Sequence, residues 1–313
     1  MSFVRARINI SAMSVILRVR QRAPKAKKPK APARRLPPWA WLPGLLAFLA
    51  PSLLGPGAWA YRDPNNLVVS GSTTTLPITQ AAAEGYLATR PDLRLSVSGT
   101  GTGEGLKSLI DGLVDVAGAS RDILPAEAKR ALDKGVRLQR HALARDSLAV
   151  VTHPDNPISD LSLDDLYRIY VGEIRNWKEL GGEDRPIVAI NRDSSSGTFE
   201  MWLTLVLRGA RYRRDAQTQP SGGGVAYAVG GNRNAIGYVG LGFLNERVKA
   251  LKIGGIGPDL QNVASGAYPL SRELYLFTQD PHSGIAQDFL NYLQGPAGRE
   301  IISREGFLPP PAP

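Results

Sequence analysis

The chain has 313 residues, with 38 Lys and Arg, 28 Asp and Glu, and a formal net charge of +10. The excess lies in residues 1–60, which hold eleven basic and no acidic residues, so the rest of the chain has a net charge of −1. This distribution argues against a nucleic-acid-binding domain, which would cluster positive charge within its fold. The absence of cysteine excludes disulfides and thiol catalysis, and the three histidines show no metal-ligand spacing, so no metal site is expected.

The N-terminal segment has the order of a signal peptide. Residues 1–35 are basic, residues 36–54 are apolar and uncharged, and Ala58 and Ala60 offer small side chains at the −3 and −1 positions of a cleavage site. We therefore expect export, with cleavage after Ala60. Two alternatives stay open: a retained anchor, because the apolar run approaches the ~20 residues that span a bilayer, and a true start at Met13.

Beyond residue 66, strand-like and helix-like segments alternate along the chain. Such alternation predicts an α/β protein with a largely parallel sheet. The predicted strands are residues 67–72, 93–103, 116–120, 146–153, 186–192, 235–240 and 272–278, and the predicted helices are 75–91, 104–115, 124–135, 161–172, 176–182, 197–209 and two within 283–302.

Three of the predicted strand-to-helix turns share one chemistry. GSTTTLP (71–77), SGTGTGEG (98–105) and NRDSSSGTFE (191–200) are rich in Gly, Ser and Thr. A helix start exposes unpaired backbone N–H groups and the positive end of the helix dipole, and hydroxyls add donors, so three such starts can cage an anion without a metal. Each turn taken alone also fits an ordinary helix cap. Arg192, four residues before Ser196, favours the anion because Arg can bind an oxyanion with two hydrogen bonds.

These segments resemble the phosphate-binding protein family of bacterial phosphate ABC importers. The likeness covers about residues 66–307 and includes GSTTTLPITQAAAEGY, GTGTGEGLKSLIDGLVDVAGASR, NRDSSSGTFE and NAIGYVGLGF, in the family's order. It implies a two-lobed α/β clamshell of the periplasmic-binding-protein type II, each lobe a mixed sheet flanked by helices. We place a signal peptide and basic tail at 1–60, lobe one at 61–150 plus 270–313, and lobe two at 151–269.

The resemblance also implies the ligand-binding residues. The first turn supplies the Thr75 hydroxyl and the Leu76 backbone N–H, and the second supplies Thr102. The third turn supplies the charge of Arg192 and the helix start Ser196, Gly197 and Thr198. Ser72 and Gly103 are expected to support or form the turns.

One position departs from the family's best-known members. Where they have an Asp that accepts a proton from phosphate, this chain has Arg121. An Arg has no acceptor, so it would either donate to the anion or point to solvent. Asp122 is a candidate for the acceptor role. Without an acceptor, discrimination between phosphate and sulfate is in question.

By resemblance, the chain captures inorganic phosphate in the periplasm and delivers it to a membrane ABC importer made of a permease and an ATPase. It is expected to act as a monomer, without cofactor, metal or nucleic acid, and to be no enzyme. The alternatives are binding of sulfate, molybdate or tungstate, a sensing role, and a phosphatase. The phosphatase is disfavoured because no His lies in the three motifs to activate a nucleophile.

Overall fold

The structure is a computed structural model that describes residues 63–311. Its strands are β1 (Asn66–Gly71), β2 (Arg94–Gly99), β3 (Val116–Ala119), β4 (Arg137–Thr152), β5 (Asp160–Leu161), β6 (Val188–Arg192), β7 (Gln217–Gln219), β8 (Ala235–Gly240), β9 (Lys249–Ala250), β10 (Lys252–Ile253) and β11 (Ser271–Asp280). Its α-helices are α1 (Leu76–Thr89), α2 (Thr102–Ile110), α3 (Pro125–Asp133), α4 (Leu163–Val171), α5 (Gly197–Leu205), α6 (Gly222–Gly230), α7 (Leu260–Ser265), α8 (Gly284–Gln294) and α9 (Pro296–Arg304). Two 3-10 helices lie at Trp177–Leu180 and Leu241–Phe243.

The main sheet is mixed. Its strand order is β2-β1-β3-β11-β4-β8-β6-β7, and β9 also pairs with β4. The pairs β1–β2, β1–β3, β6–β8 and β6–β7 are parallel, whereas β11 runs antiparallel to β3 and β4, and β4 runs antiparallel to β8. The parallel pairs agree with the predicted alternation, and the antiparallel centre comes from β4 and β11.

Strand β4 connects the two halves of this sheet. Its first part, Arg137–Ser147, pairs with β11, and its last part, Leu148–Thr152, pairs with β8. Sequence analysis predicted only residues 146–153 as a strand. The earlier part was missed because its alternation is irregular and three arginines and a histidine fall within it, which is not the apolar pattern of a buried strand.

The hydrophobic core divides at the same place. Leu148 and Val150 pack on one face of the second half, while Ala149 and Val151 pack on the other. Adjacent side chains point to opposite faces of a strand, so each half of the sheet is covered on both sides. One half is covered by α1, α8 and α9 on one face and α2 on the other, through buried residues that include Ile78, Phe289, Ile301, Leu106 and Leu109.

Helix α4 shows why the predicted boundaries hold. The Ser162 side chain accepts a hydrogen bond from the backbone N–H of Asp165 (3.0 Å), and the Asp165 carboxylate accepts one from the N–H of Ser162 (2.9 Å). This capping box fixes the start, and Gly172 ends the helix with φ 89°, a conformation that suits glycine. Within residues 63–311, no helix is long and apolar enough to cross a membrane, and residues 1–60, with their predicted signal peptide, lie outside the described range.

Candidate functional site

The turn between β1 and α1 is tightly packed against the end of β3. Gly71 has φ 132°, and a Cβ at this position would lie 2.2 Å from the backbone oxygen of Gly118, so only glycine fits. The backbone N–H of Ser72 donates to that same oxygen at 2.7 Å. This contact places the Thr73–Thr75 run at the sheet edge where β2, β1 and β3 end.

The hydroxyls of that run point in different directions. Thr75 donates its hydroxyl to the backbone oxygen of Ser72 within the turn (3.0 Å), and the Ser72 hydroxyl accepts from the N–H of Thr74 (3.1 Å). In contrast, Thr74 and Thr73 reach residues of the third turn: Thr74 Oγ1 lies 3.1 Å from Thr198 Oγ1, and Thr73 Oγ1 accepts from Arg192 Nη2 at 3.2 Å. Sequence reasoning selected Thr75 from this run and did not single out its two neighbours.

The second and third turns meet at the start of α5. Thr102 Oγ1 accepts from the backbone N–H of Ser120 (3.1 Å), and a Cβ at Gly197 would lie 2.5 Å from that hydroxyl and 2.7 Å from Ser120 Oγ. Gly103 donates its N–H to the backbone oxygen of Ser195 (3.1 Å). The first turns of α2 and α5 therefore face each other, and glycine allows their close approach.

Ser196 is the N-cap of α5. Its side chain accepts a hydrogen bond from the N–H of Phe199 at 3.3 Å, which is the ordinary capping role that the sequence left open. Gly197 and Thr198 begin the helix, and both are buried. By helix geometry the N–H groups of this first turn have no partner within the helix.

Arg192 is almost fully enclosed at the end of β6. Its side chain is 1% exposed, and it donates from Nε to the backbone oxygen of Gln219 (3.1 Å) and from Nη2 to that of Pro220 (3.0 Å). Burial lowers the pKa of this guanidinium, and the nearby Asp193 opposes that effect. Behind it, Trp202 and Tyr238 stack with ring centroids 4.0 Å apart and hold β8 and α5 together.

Arg121 is neither solvent-exposed nor free to meet an anion. It is 4% exposed and donates from both terminal nitrogens to the Glu127 carboxylate at 2.8 Å and from Nε to Glu200. Burial alone would lower the pKa of Arg121, but the two carboxylates outweigh it and the pKa is raised. The structure thus gives Arg121 a third placement, an ion cluster that joins α3 and α5.

Asp122 points away from the three turns. Its side chain is about half exposed, with Oδ2 paired to Arg140 and Oδ1 accepting from the N–H of Ile123 at 2.7 Å. Both carboxylate oxygens of Asp122 are thus bonded to groups outside the three turns.

Sequence reasoning missed a buried ion pair at the centre of the site. Arg272 of β11 lies directly opposite Asp146 of β4, and the side chains are 1% and 0% exposed. Arg272 Nη1 donates to Thr198 Oγ1 at 2.9 Å. The available signal was an Asp and an Arg at the starts of two predicted strands that are otherwise apolar. That signal gives no hint that the two strands are neighbours.

The histidines lie elsewhere. His141 Nε2 is bonded to Thr278 Oγ1 (3.0 Å), the Nδ1 of His153 accepts from the N–H of Asp155 (3.1 Å), and His282 is bonded to Gln287 (2.6 Å). Among the described residues, no group of three or more His, Asp or Glu side chains is arranged to hold a metal ion.

The comparisons with known proteins agree with these observations. Residues 59–297 match the family described as a PBP superfamily domain. The chain is 34% identical over 250 residues to the phosphate-binding protein PstS of Bacillus subtilis, covering 79% of this chain and 82% of that protein. The resemblance inferred from the motifs is therefore confirmed.

Two solved structures show the same fold. A putative phosphate ABC transporter substrate-binding protein with bound phosphate from Clostridium perfringens matches with a TM-score of 0.74 and 30% identity, over 79% of this chain and all of that one. An ABC-type phosphate transport receptor from Vibrio cholerae matches with a TM-score of 0.66 and 29% identity, over 78% and 100%. The predicted fold class, a two-lobed α/β protein with mixed sheets flanked by helices, is confirmed.

Proposed function

This chain belongs to the PBP superfamily, and from that membership we propose that it is an extracytoplasmic binding protein that captures inorganic phosphate and delivers it to an ABC importer. The observation that carries the proposal is the meeting of three Gly/Ser/Thr turns, with the enclosed guanidinium of Arg192 at the third turn bonded to Thr73 of the first. Such an arrangement offers many hydrogen-bond donors and positive charge in a place closed to water, which suits a small oxyanion.

The ligand would lie between two lobes that close on it. We divide them at residues 61–150 plus 270–313 and at 151–269. The hydrophobic core separates near these crossings, between Ala144 and Leu148 and between Leu270 and Leu274, which supports two lobes with boundaries a few residues from the expected ones, since Leu148 and Leu270 pack with residues of the second lobe. Thr75 and Thr102 would meet the anion first, and closure would add Arg192 and the start of α5. Closure follows binding only if the anion gains contacts in the closed form.

The ligand set of the proposal is that expected from the sequence: Thr75, Leu76, Thr102, Arg192, Ser196, Gly197 and Thr198. Thr74 is added because its hydroxyl lies against that of Thr198. The Thr75 contribution is restricted to backbone or a reoriented hydroxyl, since that hydroxyl is bonded to Ser72.

The protein would act in the periplasm as a monomer, with a permease and an ATPase as membrane partners and without catalysis. The bonding of all three histidines away from the turns supports a binder, because a metal-free hydrolase needs a base beside its nucleophile. In addition, a site that binds the substrate and the transition state of a reaction equally well does not accelerate that reaction.

The second candidate ligand is sulfate or another tetrahedral oxyanion. The pairing of Arg121 with Glu127 and Glu200 favours it, because this position then offers no acceptor for a protonated phosphate. A site without an acceptor would discriminate less against fully ionised anions.

Isothermal titration of the purified protein with phosphate, sulfate, molybdate and arsenate tests the proposal. We expect phosphate to bind most tightly. Binding of none of the four would refute the oxyanion function, and tighter binding of sulfate would refute phosphate alone.

A further inference from the structure

Arg272 and Asp146 form the most deeply buried ion pair in the described part of the chain, and it lies within the site. Arg272 donates from Nε and Nη2 to Asp146 Oδ2 at 2.8 and 2.7 Å, while Asp146 Oδ1 accepts from the N–H of Leu241 at 2.8 Å. Asp146 thereby holds one edge of the guanidinium and neutralises its charge. Arg272 Nη1 is not bonded to Asp146, and it lies 3.5 Å from the backbone oxygen of Ser120.

Two hydroxyls from opposite sides of the site lie close to the terminal nitrogens of Arg272. Arg272 Nη1 donates to Thr198 Oγ1 at 2.9 Å, and Nη2 lies 3.5 Å from Thr74 Oγ1. Thr74 comes from the β1–α1 turn and Thr198 from the start of α5, and their hydroxyls are 3.1 Å apart. Both threonines are 1% exposed.

The direction of these hydrogen bonds is fixed by chemistry. A guanidinium can only donate, so both hydroxyl oxygens act as acceptors toward Arg272. Each hydroxyl has one hydrogen, and one of the two is used between Thr74 and Thr198. The remaining hydrogen must point away from Arg272 and away from the pair, which makes the pair a net donor.

Stability alone does not account for the ion pair. Replacing a buried ion pair with apolar side chains of similar volume is often neutral or stabilising, because the desolvation of two charges offsets their attraction. The Arg272–Asp146 pair lies at the proposed ligand site, and one edge of its guanidinium faces two hydroxyls. A role in ligand binding therefore explains the pair better than stability does.

We propose that Arg272, held by Asp146, is a positioning residue of the anion site that orients the Thr74–Thr198 hydroxyl pair so that its one remaining hydrogen is donated to the bound oxyanion. This inference rests on the proposed function. It adds a contact from β11, the strand between β3 and β4 in the sheet, to donors that otherwise come from the turns. It also predicts that the two threonines and Arg272 act as one unit.

The test is a double-mutant cycle on phosphate affinity. Arg272→Lys keeps the charge and can still pair with Asp146, but it loses the planar fork that reaches both hydroxyls. We expect it to weaken phosphate binding by about 10- to 100-fold, the scale of a lost charge-assisted hydrogen bond. In a chain that also carries Thr74→Val and Thr198→Val, the same change should cost less than about 3-fold, because the groups it orients are gone.

Arg213→Lys is the matched control. Arg213 is also a buried arginine, paired with Asp215 at 2.7 Å, but it lies behind α4 and is not bonded to the turns. We expect the Arg213→Lys variant to bind phosphate as tightly as the wild type does. Thermal unfolding without phosphate should accompany each titration, and Thr74→Val alone provides a milder variant if Arg272→Lys does not fold.

The outcomes of these titrations distinguish the positioning role of Arg272 from the proposed function on which it rests. Unchanged affinity in Arg272→Lys, or an equal loss with and without the two threonine hydroxyls, would overturn the positioning role while phosphate binding by the wild type upheld the function. A wild-type protein that binds no oxyanion would overturn the proposed function, and the positioning role with it.

Discussion

At the scale of single residues, Arg192 is the clearest agreement between motif and geometry. Its place before the Ser-Gly-Thr helix start suggested an anion partner, and the structure encloses it among backbone oxygens at the end of β6. Those oxygens fix the orientation of the guanidinium before any ligand arrives, which reduces the entropy lost on binding.

Arg192→Ala should therefore weaken phosphate binding by about 1.5–3 kcal/mol, the scale of hydrogen bonds to charged groups. Titration calorimetry measures this, with Arg213→Ala as a control for the loss of a buried arginine outside the site. Equal affinities for the wild type and Arg192→Ala would remove Arg192 from the ligand set.

Arg121 makes a different kind of prediction, about stability and pH. In Arg121→Met, Glu127 and Glu200, whose side chains are 18% and 24% exposed, lose their arginine partner, so the variant should be less stable by about 1.5–3 kcal/mol at pH 7, the scale of hydrogen bonds to charged groups. Burial already raises the pKa of Glu200, and without Arg121 it should rise further. A carboxyl whose folded pKa exceeds its unfolded pKa destabilises as pH rises through the folded value, so acid should restore stability.

Denaturant unfolding at pH 7 and pH 5 checks this. The gap in unfolding free energy between wild type and Arg121→Met should narrow at pH 5. An equal difference in unfolding free energy at pH 7 and at pH 5 would contradict the prediction that Arg121 stabilises the charged carboxylates around it.

At the scale of elements, two serine caps of similar geometry have different neighbours. Ser162 caps α4 at an exposed end, whereas Ser196 caps α5 inside the site. Loss of a serine cap costs about 1 kcal/mol of stability on either helix.

We expect Ser162→Ala to lower the unfolding free energy by about 1 kcal/mol and leave phosphate affinity unchanged. Ser196→Ala should show a similar loss of stability and also bind phosphate about 3- to 10-fold more weakly, as for one neutral hydrogen bond. Unfolding and phosphate-titration measurements on both variants test this prediction. If neither variant changes affinity, Ser196 is a helix cap and no ligand.

At the scale of the whole molecule, the division of the core at β4 has a thermodynamic consequence. A ligand that contacts both halves binds only the assembled fold and so stabilises it against unfolding. Inter-turn contacts such as that between Thr74 and Thr198 join residues 124 positions apart.

Phosphate at about 100 times its Kd should add ~2.7 kcal/mol to the unfolding free energy. Scanning calorimetry with and without phosphate measures the rise in Tm, and Arg192→Ala at the same phosphate concentration should show a smaller rise. A wild-type Tm that does not respond to phosphate would contradict binding to the folded chain.

Local sequence patterns were enough to predict the order of the main strands and helices, the three Gly/Ser/Thr turns and the family. These depend on local patterns: apolar periodicity, Gly and Pro at boundaries, and Ser or Thr at helix starts, which act within a few residues. Element ends were accurate where a cap defines them, as at Ser162, and poor where charges break the pattern, as in the first part of β4.

Tertiary packing determines which hydroxyls of the Thr73–Thr75 run face the third turn, what Arg121 pairs with, and that Arg272 meets Asp146. The last two residues are 126 positions apart and meet because β11 and β4 pair in one register. Strand register depends on how whole faces pack, and a shift of one strand by one residue would turn its side chain to the other face, away from its partner. No local pattern carries that information, so the partners of buried charges had to come from the fold.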